Sequence, residues 1–149
     1  MHKSKISVVI CTRNRADVLV ECLRSIANNK LQPFEILVVD QSTNDSTADV
    51  VREFSATVPC AVRYVHHGSE GLTKARNIGL KASAGDIVAF TDDDCIADPG
   101  WLEAIAREFS DPGISCVWPD TPGSLFGQTE NCHAFYSQPQ RPSCHTGET

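Results

Sequence analysis

Three consecutive carboxylates, Asp92-Asp93-Asp94, are the groups in this chain best suited to chemistry. They close the run Asp86-Ile87-Val88-Ala89-Phe90-Thr91-Asp92-Asp93-Asp94-Cys95. Adjacent carboxylates repel unless water, a metal or a cationic group offsets their charge. Aspartates two apart in a loop, here Asp92 and Asp94, can aim at one hard cation. Mg²⁺ and Mn²⁺ favour oxygen ligands and bind through one or two carboxylates together with substrate phosphates. An ion so held would neutralise a diphosphate as a leaving group. The purely structural reading of strand-end acids is capping or a solvated turn, and Asp98 fits it. Asp92 and Asp94 instead follow a buried strand that aims them at a ligand edge. The role of Asp93 stays open.

Other polar groups follow predicted strands in the same way. Asp40 could accept hydrogen bonds from a base or ribose, as the acidic residue of dinucleotide-binding folds does. Capping the next helix is its structural alternative, for which Ser42, Asn44 or Asp45 is better spaced. Arg13 and Arg15 could pair with phosphates bidentately, or be solvated surface arginines. Arg76 and Asn77 lie on a helix just before the aspartate strand. Arg76 could reach back to the acidic edge, or form a structural ion pair with Asp40 or Asp92. His66 and His67 are adjacent and would point to opposite sides of an extended loop, so they are given no metal-binding role.

The elements that must position these groups are legible from periodicity. Ile6–Cys11 and Glu35–Asp40 are unbroken apolar strands of the kind buried on both faces of a parallel sheet. Ala61–Val65 alternates and reads as a shorter strand. Helices are expected over Ala16–Asn28, Thr47–Phe54 and Leu72–Ser83, the last packing through Leu72, Ala75, Ile78, Gly79 and Ala82. Asp98-Pro99-Gly100-Trp101 reads as a helix start, with Asp98 as N-cap, for a helix reaching Phe109. Ile114–Trp118 is a fifth candidate strand. The order is α/β, with a doubly wound, mostly parallel sheet. In such sheets ligands sit at the carboxyl ends of the strands, which gathers Thr12–Arg15, Asp40–Asp45 and Asp92–Asp94 at one place.

Composition bounds the class. A chain of 149 residues, 41% hydrophobic and 21% charged, suits one globular domain. A net charge of −6 without a long basic run argues against nucleic acid, while leaving room for a local phosphate site. The seven cysteines include no C-x-x-C pair, which argues against zinc and for reduced thiols in the cytoplasm. The apolar run Ile6–Cys11 is too short for a signal peptide or a membrane span, and no later segment is long enough to span. Any peripheral membrane link would lie outside this chain. After Pro119 the prolines Pro122, Pro139 and Pro142 mix with Gly, Ser, Thr and Gln. We read 1–112 as the folded binding portion and 113–149 as an atypical, irregular or partly disordered tail.

Five motifs in order carry a family resemblance. They are Ser7-Val8-Val9-Ile10-Cys11-Thr12-Arg13-Asn14-Arg15, Glu35-Ile36-Leu37-Val38-Val39-Asp40-Gln41-Ser42-Thr43-Asn44-Asp45, Gly71-Leu72-Thr73-Lys74-Ala75-Arg76-Asn77-Ile78-Gly79, Phe90-Thr91-Asp92-Asp93-Asp94-Cys95 and Asp98-Pro99-Gly100-Trp101-Leu102. The chain resembles the N-terminal half of family 2 glycosyltransferases, with the GT-A nucleotide-diphospho-sugar transferase fold. The resemblance covers roughly Lys5 to Phe109. It implies sugar transfer from a nucleotide-diphosphate sugar to an acceptor hydroxyl, with inversion and with Mn²⁺ or Mg²⁺. It places Thr12, Arg13, Asn14, Arg15, Asp40, Ser42, Arg76, Asn77, Asp92 and Asp93 at the nucleotide sugar. Asp92 and Asp94 form its D-x-D metal motif, with Asp94 the more direct ligand.

Two departures stand out. Many relatives carry a second acid where this chain has Gln41. The family's second half, with acceptor site and catalytic base, is not recognisable after Phe109, and Asp120 and Glu130 lie in the wrong context. The chain is therefore expected to be truncated, with donor binding more credible than turnover. Two other readings are an inactive fragment and a receiver-like, Mg²⁺-binding signalling module. A nucleotidylyltransferase is set aside because Thr12-Arg13-Asn14-Arg15 lacks glycine.

Overall fold

The computed structural model describes residues 3–68, 71–117 and 135–137. Its elements in chain order are β1 (Ile6–Thr12), α1 (Ala16–Ala27), β2 (Glu35–Asp40), α2 (Ser46–Ser55), β3 (Ala61–His66), α3 (Leu72–Ala82), β4 (Ile87–Asp92), α4 (Trp101–Glu108), β5 (Cys116–Val117) and β6 (Phe135–Ser137). They build a six-stranded sheet in the order β3-β2-β1-β4-β6-β5. β1 pairs in parallel with β2 on one side and with β4 on the other. The strand order therefore reverses beside β1. That switch point is where α/β sheets leave a crevice for ligands.

The unbroken apolar strands have the reason expected of them. Val8 and Ile10 face one core with Leu19, Leu23, Ile26, Trp101 and Ile105. Val9, between them, faces a second core with Leu37, Val39, Ala75, Val88 and Phe90. Successive strand residues point to opposite faces, so helices on both sides demand apolar side chains at every position. Among the described residues, α3 is the helix that packs on the second face.

α3 lies very close to the sheet. A Cβ on Gly79 would collide with Val9 Cγ1 and stand 3.4 Å from Val39 Cγ2. Val9 is branched at Cβ and has little rotamer freedom to move aside. Gly79→Ala is expected to destabilise by roughly 1 kcal/mol, because overpacking of 1–3 kcal/mol exceeds the gain in helix propensity. A denaturant midpoint equal to or above the parent's would refute this account of the contact. Leu72, expected on the same face, is instead 49% exposed, because the helix begins at the open carboxyl edge.

One further expectation is corrected. α4 begins at Trp101, and Asp98 does not cap it. Asp98 Oδ1 accepts the Gly100 N–H at 2.8 Å, closing a turn ahead of the helix. The capping acceptor comes from the end of α1, where Asn29 Oδ1 receives the Leu102 N–H at 3.0 Å. The fifth candidate strand, Ile114–Trp118, contains the shorter β5, which pairs antiparallel with β6. β6 lies in the stretch beyond 112 and pairs antiparallel with β4; at three residues it is too short to show a period, and its pairing is made by backbone groups distant in sequence. Trp118, Asp120 and Glu130 lie outside the described residues.

Candidate donor-sugar site

The polar residues that follow β1, β2 and β4 meet at the carboxyl edge. The three aspartates take different environments. Asp93 is buried, Asp94 is exposed, and Asp92 lies between. Asp92, Asp94 and Cys95 present ligand atoms that all lie within 4.8 Å of one another. Two carboxylates at that separation supply a hard-oxygen donor set that fits Mn²⁺ or Mg²⁺.

Asp93 points into the protein and ties the two sides of the switch point together. Thr12 Oγ1 donates to its Oδ2 at 2.8 Å. Arg15 Nη1 approaches its Oδ1 at 3.0 Å, and Arg15 Nη2 approaches Asp94 Oδ2 at 3.3 Å. Burial pushes the Asp93 carboxyl above its usual range; Thr12 and Arg15 oppose this, while Asp94 and Asp92 reinforce it. The Asp93 charge in turn raises the Arg15 pKa, with Asp94 contributing. Both values rise, for different reasons: burial disfavours the charged carboxylate of Asp93, and the neighbouring carboxylates favour the charged guanidinium of Arg15.

Arg76 Nη2 lies 3.6 Å from Asp92 Oδ1, which realises the ion-pair reading for this residue. Both side chains are about one-third exposed, 35% and 32%, so the guanidinium remains within reach of a ligand. Asn77 is exposed on α3 and joins none of these bonds. Arg13 is exposed beside Thr12. Cys11 pairs in register with Asp92. Burial, opposed by Arg76 and aided by Asp92 and Asp93, pushes its thiol up to about 12.

Asp40 is gathered to this edge, but its placement differs from that of an open ligand contact. It is 0% exposed. Its Oδ1 accepts the Ser42 N–H at 2.9 Å and the Ser42 hydroxyl. Its Oδ2 accepts the Tyr64 hydroxyl at 2.7 Å. Asn14 adopts a left-handed backbone at φ 52° and joins the loops after β1 and β2. Its N–H donates to Ser42 Oγ at 2.7 Å, and its Oδ1 accepts the Thr43 N–H at 3.0 Å. Gln41, at the position of the missing second acid, donates through Nε2 to the Gly71 carbonyl at 3.3 Å. Tyr64 was not anticipated, since its only signal was an alternating pattern in β3. His66, likewise unassigned, places a ring nitrogen 3.0 Å from the Ser42 carbonyl.

Structural comparison places this mostly parallel sheet, with its carboxylates and arginines at the carboxyl edge, among GT-A glycosyltransferase folds. The mannosyltransferase PcManGT from Pyrobaculum calidifontis, solved with GDP-Man and Mn²⁺, superposes with a TM-score of 0.78 at 23% identity. The match covers 92% of this chain and 45% of that one. S. aureus TarS 1–349 in complex with UDP-GlcNAc gives 0.67 at 24% identity, over 89% of this chain and 45% of that one.

The sequence supplies the family. Residues 7–141 match the model of glycosyl transferase family 2, and the chain belongs to that family. The match runs well into the stretch beyond 112. Among curated relatives, the uncharacterized glycosyltransferase YwdF of Bacillus subtilis is 40% identical over 106 residues, 70% of this chain and 38% of that protein. Glycosyltransferase AglE of Haloferax volcanii is 32% identical over 114 residues, 75% of this chain and 38% of that protein. The chain thus spans about two-fifths of the length of these relatives. No described helix is long and apolar enough to cross a membrane.

Proposed function

We propose that this chain forms the donor half of an inverting, metal-dependent glycosyltransferase that takes its sugar from a nucleotide diphosphate and passes it to an acceptor hydroxyl. The observation that carries the reading is the convergence of Asp92 and Asp94 beside Arg76 and Arg15 at the switch point of a family 2 sheet. Asp92 and Asp94 would hold Mn²⁺ or Mg²⁺, with Asp94 the more accessible of the two. The bound ion supplies positive charge against the departing diphosphate.

The chain's own residues perform the remaining tasks in this reading. Arg76 and Arg15 pair with phosphate oxygens, for which a guanidinium fork is well shaped. Thr12, Arg13, Asn14 and Ser42 line the nucleoside side, with Asn77 at the outer wall. Asp93 braces β4 against the Thr12 loop. Asp40 sets the conformation of Ser42. The acceptor base is not among these groups. That PcManGT was solved with GDP-Man and Mn²⁺, and TarS with UDP-GlcNAc, supports a nucleotide-sugar donor for this chain. The free thiols Cys11 and Cys60 fit a reducing, cytoplasmic setting.

Calorimetry with UDP-, GDP- and dTDP-sugars, with and without Mn²⁺, tests the reading. We expect Mn²⁺-dependent binding of at least one. Absence of metal-dependent binding to all three rules the reading out.

A further inference from the structure

We infer that Tyr64 is a positioning residue of the donor site and acts on it through the buried carboxylate of Asp40. The inference rests on the donor reading above. Tyr64 stands on β3, one strand outward from β2, with Asp40 paired to its second neighbour, His66. Its hydroxyl is the only donor to Asp40 Oδ2 among the described residues. Burial, then the hydrogen bond to Asp40 and its charge, raise the hydroxyl's pKa, so it remains a proton donor.

From Asp40 the bonding continues without a break. Oδ1 holds both the N–H and the hydroxyl of Ser42. Ser42 Oγ receives the Asn14 N–H and lies 3.2 Å from Thr47 Oγ1. Asn14 Oδ1 holds Thr43 through its N–H and, at 3.2 Å, its hydroxyl. The sequence Tyr64, Asp40, Ser42, Asn14, Thr43 therefore links β3 to both nucleoside-side loops. Asp40 has no cationic partner among the described residues, so this buried anion is satisfied by neutral donors alone. A buried carboxylate stripped of one donor bears the full desolvation cost at that oxygen. The carboxylate then turns or admits water, and Ser42 loses its fixed acceptor. None of these bonds reaches Asp92 or Asp94, so the effect should fall on the nucleotide and spare the metal.

The test is Tyr64→Phe in the full chain, with UDP and GDP as probes. With Mn²⁺ present, the Kd of whichever nucleotide binds the parent should rise about tenfold, while the Kd for Mn²⁺ alone changes less than about twofold. Hydrogen exchange should accelerate at the Ser42 and Asn14 amides and stay unchanged at Val88–Phe90 in β4. Ser42→Ala attacks the same chain of bonds from the other oxygen and serves if Tyr64→Phe does not fold. In the double variant the losses should be no greater than the larger single loss. Binding of neither nucleotide to the parent defeats the donor reading, and the inference with it. Parent binding with an unchanged Tyr64→Phe Kd, additive losses, or uniform acceleration of exchange leaves the donor reading intact and overturns the inference.

Discussion

Asp94→Asn is expected to weaken Mn²⁺-dependent nucleotide binding by about 100-fold, the upper end of what loss of even an outer-shell metal partner costs. Asp94 is the exposed member of the group formed with Asp92 and Cys95. An amide in its place offers one neutral oxygen where a hard cation seeks an anionic one. The substitution also weakens the contact with Arg15, but that pair is 48% and 42% exposed, and such pairs add little to stability. The melting temperature should therefore hold while the metal-dependent part of the affinity collapses. Asp92→Asn should act in the same direction and also release Arg76. Asp98→Asn is the control, since asparagine can keep the acceptor oxygen for the Gly100 N–H. Calorimetry of the three variants decides the matter. An Asp94→Asn chain that retains the parent's metal-dependent affinity removes Asp94 from the site.

Glu35→Ala should be the most damaging substitution at the opposite end of the sheet, costing about 3 kcal/mol. Glu35 is 3% exposed and begins β2. It accepts Ser7 Oγ at 2.7 Å, the Ala84 N–H at 2.7 Å and Arg63 Nη1 at 2.8 Å. Alanine deprives these donors of this acceptor, and the loop before β4 loses one of the bonds that hold it. The estimate sits at the low end for a broken buried pair because Arg63 is 44% exposed and can turn to water. Total stability for a domain of this size is roughly 5–15 kcal/mol, so the loss is a large share.

The same residue gives a pH signature. Burial raises the Glu35 carboxyl, but the bonds from Arg63, Ala84 and Ser7 and the charge of Arg63 outweigh it, and the net shift is downward. A carboxyl whose folded value is depressed contributes stability above its unfolded value, near about 4.3. That contribution is lost as the pH falls through the folded value. The stability gap between parent and Glu35→Gln should accordingly be widest near neutrality and close in acid. Urea melts across that range measure it, and a gap that widens in acid contradicts the assignment.

Much of this protein is written locally. Continuous apolar runs at Ile6–Cys11 and Glu35–Asp40 specify strands buried on both faces, and the structure places helices on both. Strand-helix alternation then fixes a parallel sheet with its polar loops at one edge, so Asp92, Asp94, Arg76 and Arg15 could be named as neighbours before any coordinates. These features depend on periodicity and chain order, which short windows of sequence contain.

Tertiary structure alone decided how those neighbours divide their work. Asp92, Asp93 and Asp94 are chemically identical, and only the turn after β4 makes Asp93 a buried brace bonded to Thr12, Asp92 a half-buried partner of Arg76 and Asp94 an exposed carboxylate beside Arg15. Asp40 has the position of a ligand contact, yet Tyr64 and Ser42 enclose it, 24 and 2 residues away. The cap of α4 comes from Asn29, 73 residues before the N–H it receives. Most of these contacts join groups distant in sequence. A residue's type declares that it must find such a partner when buried, and only the packed chain determines which partner it finds.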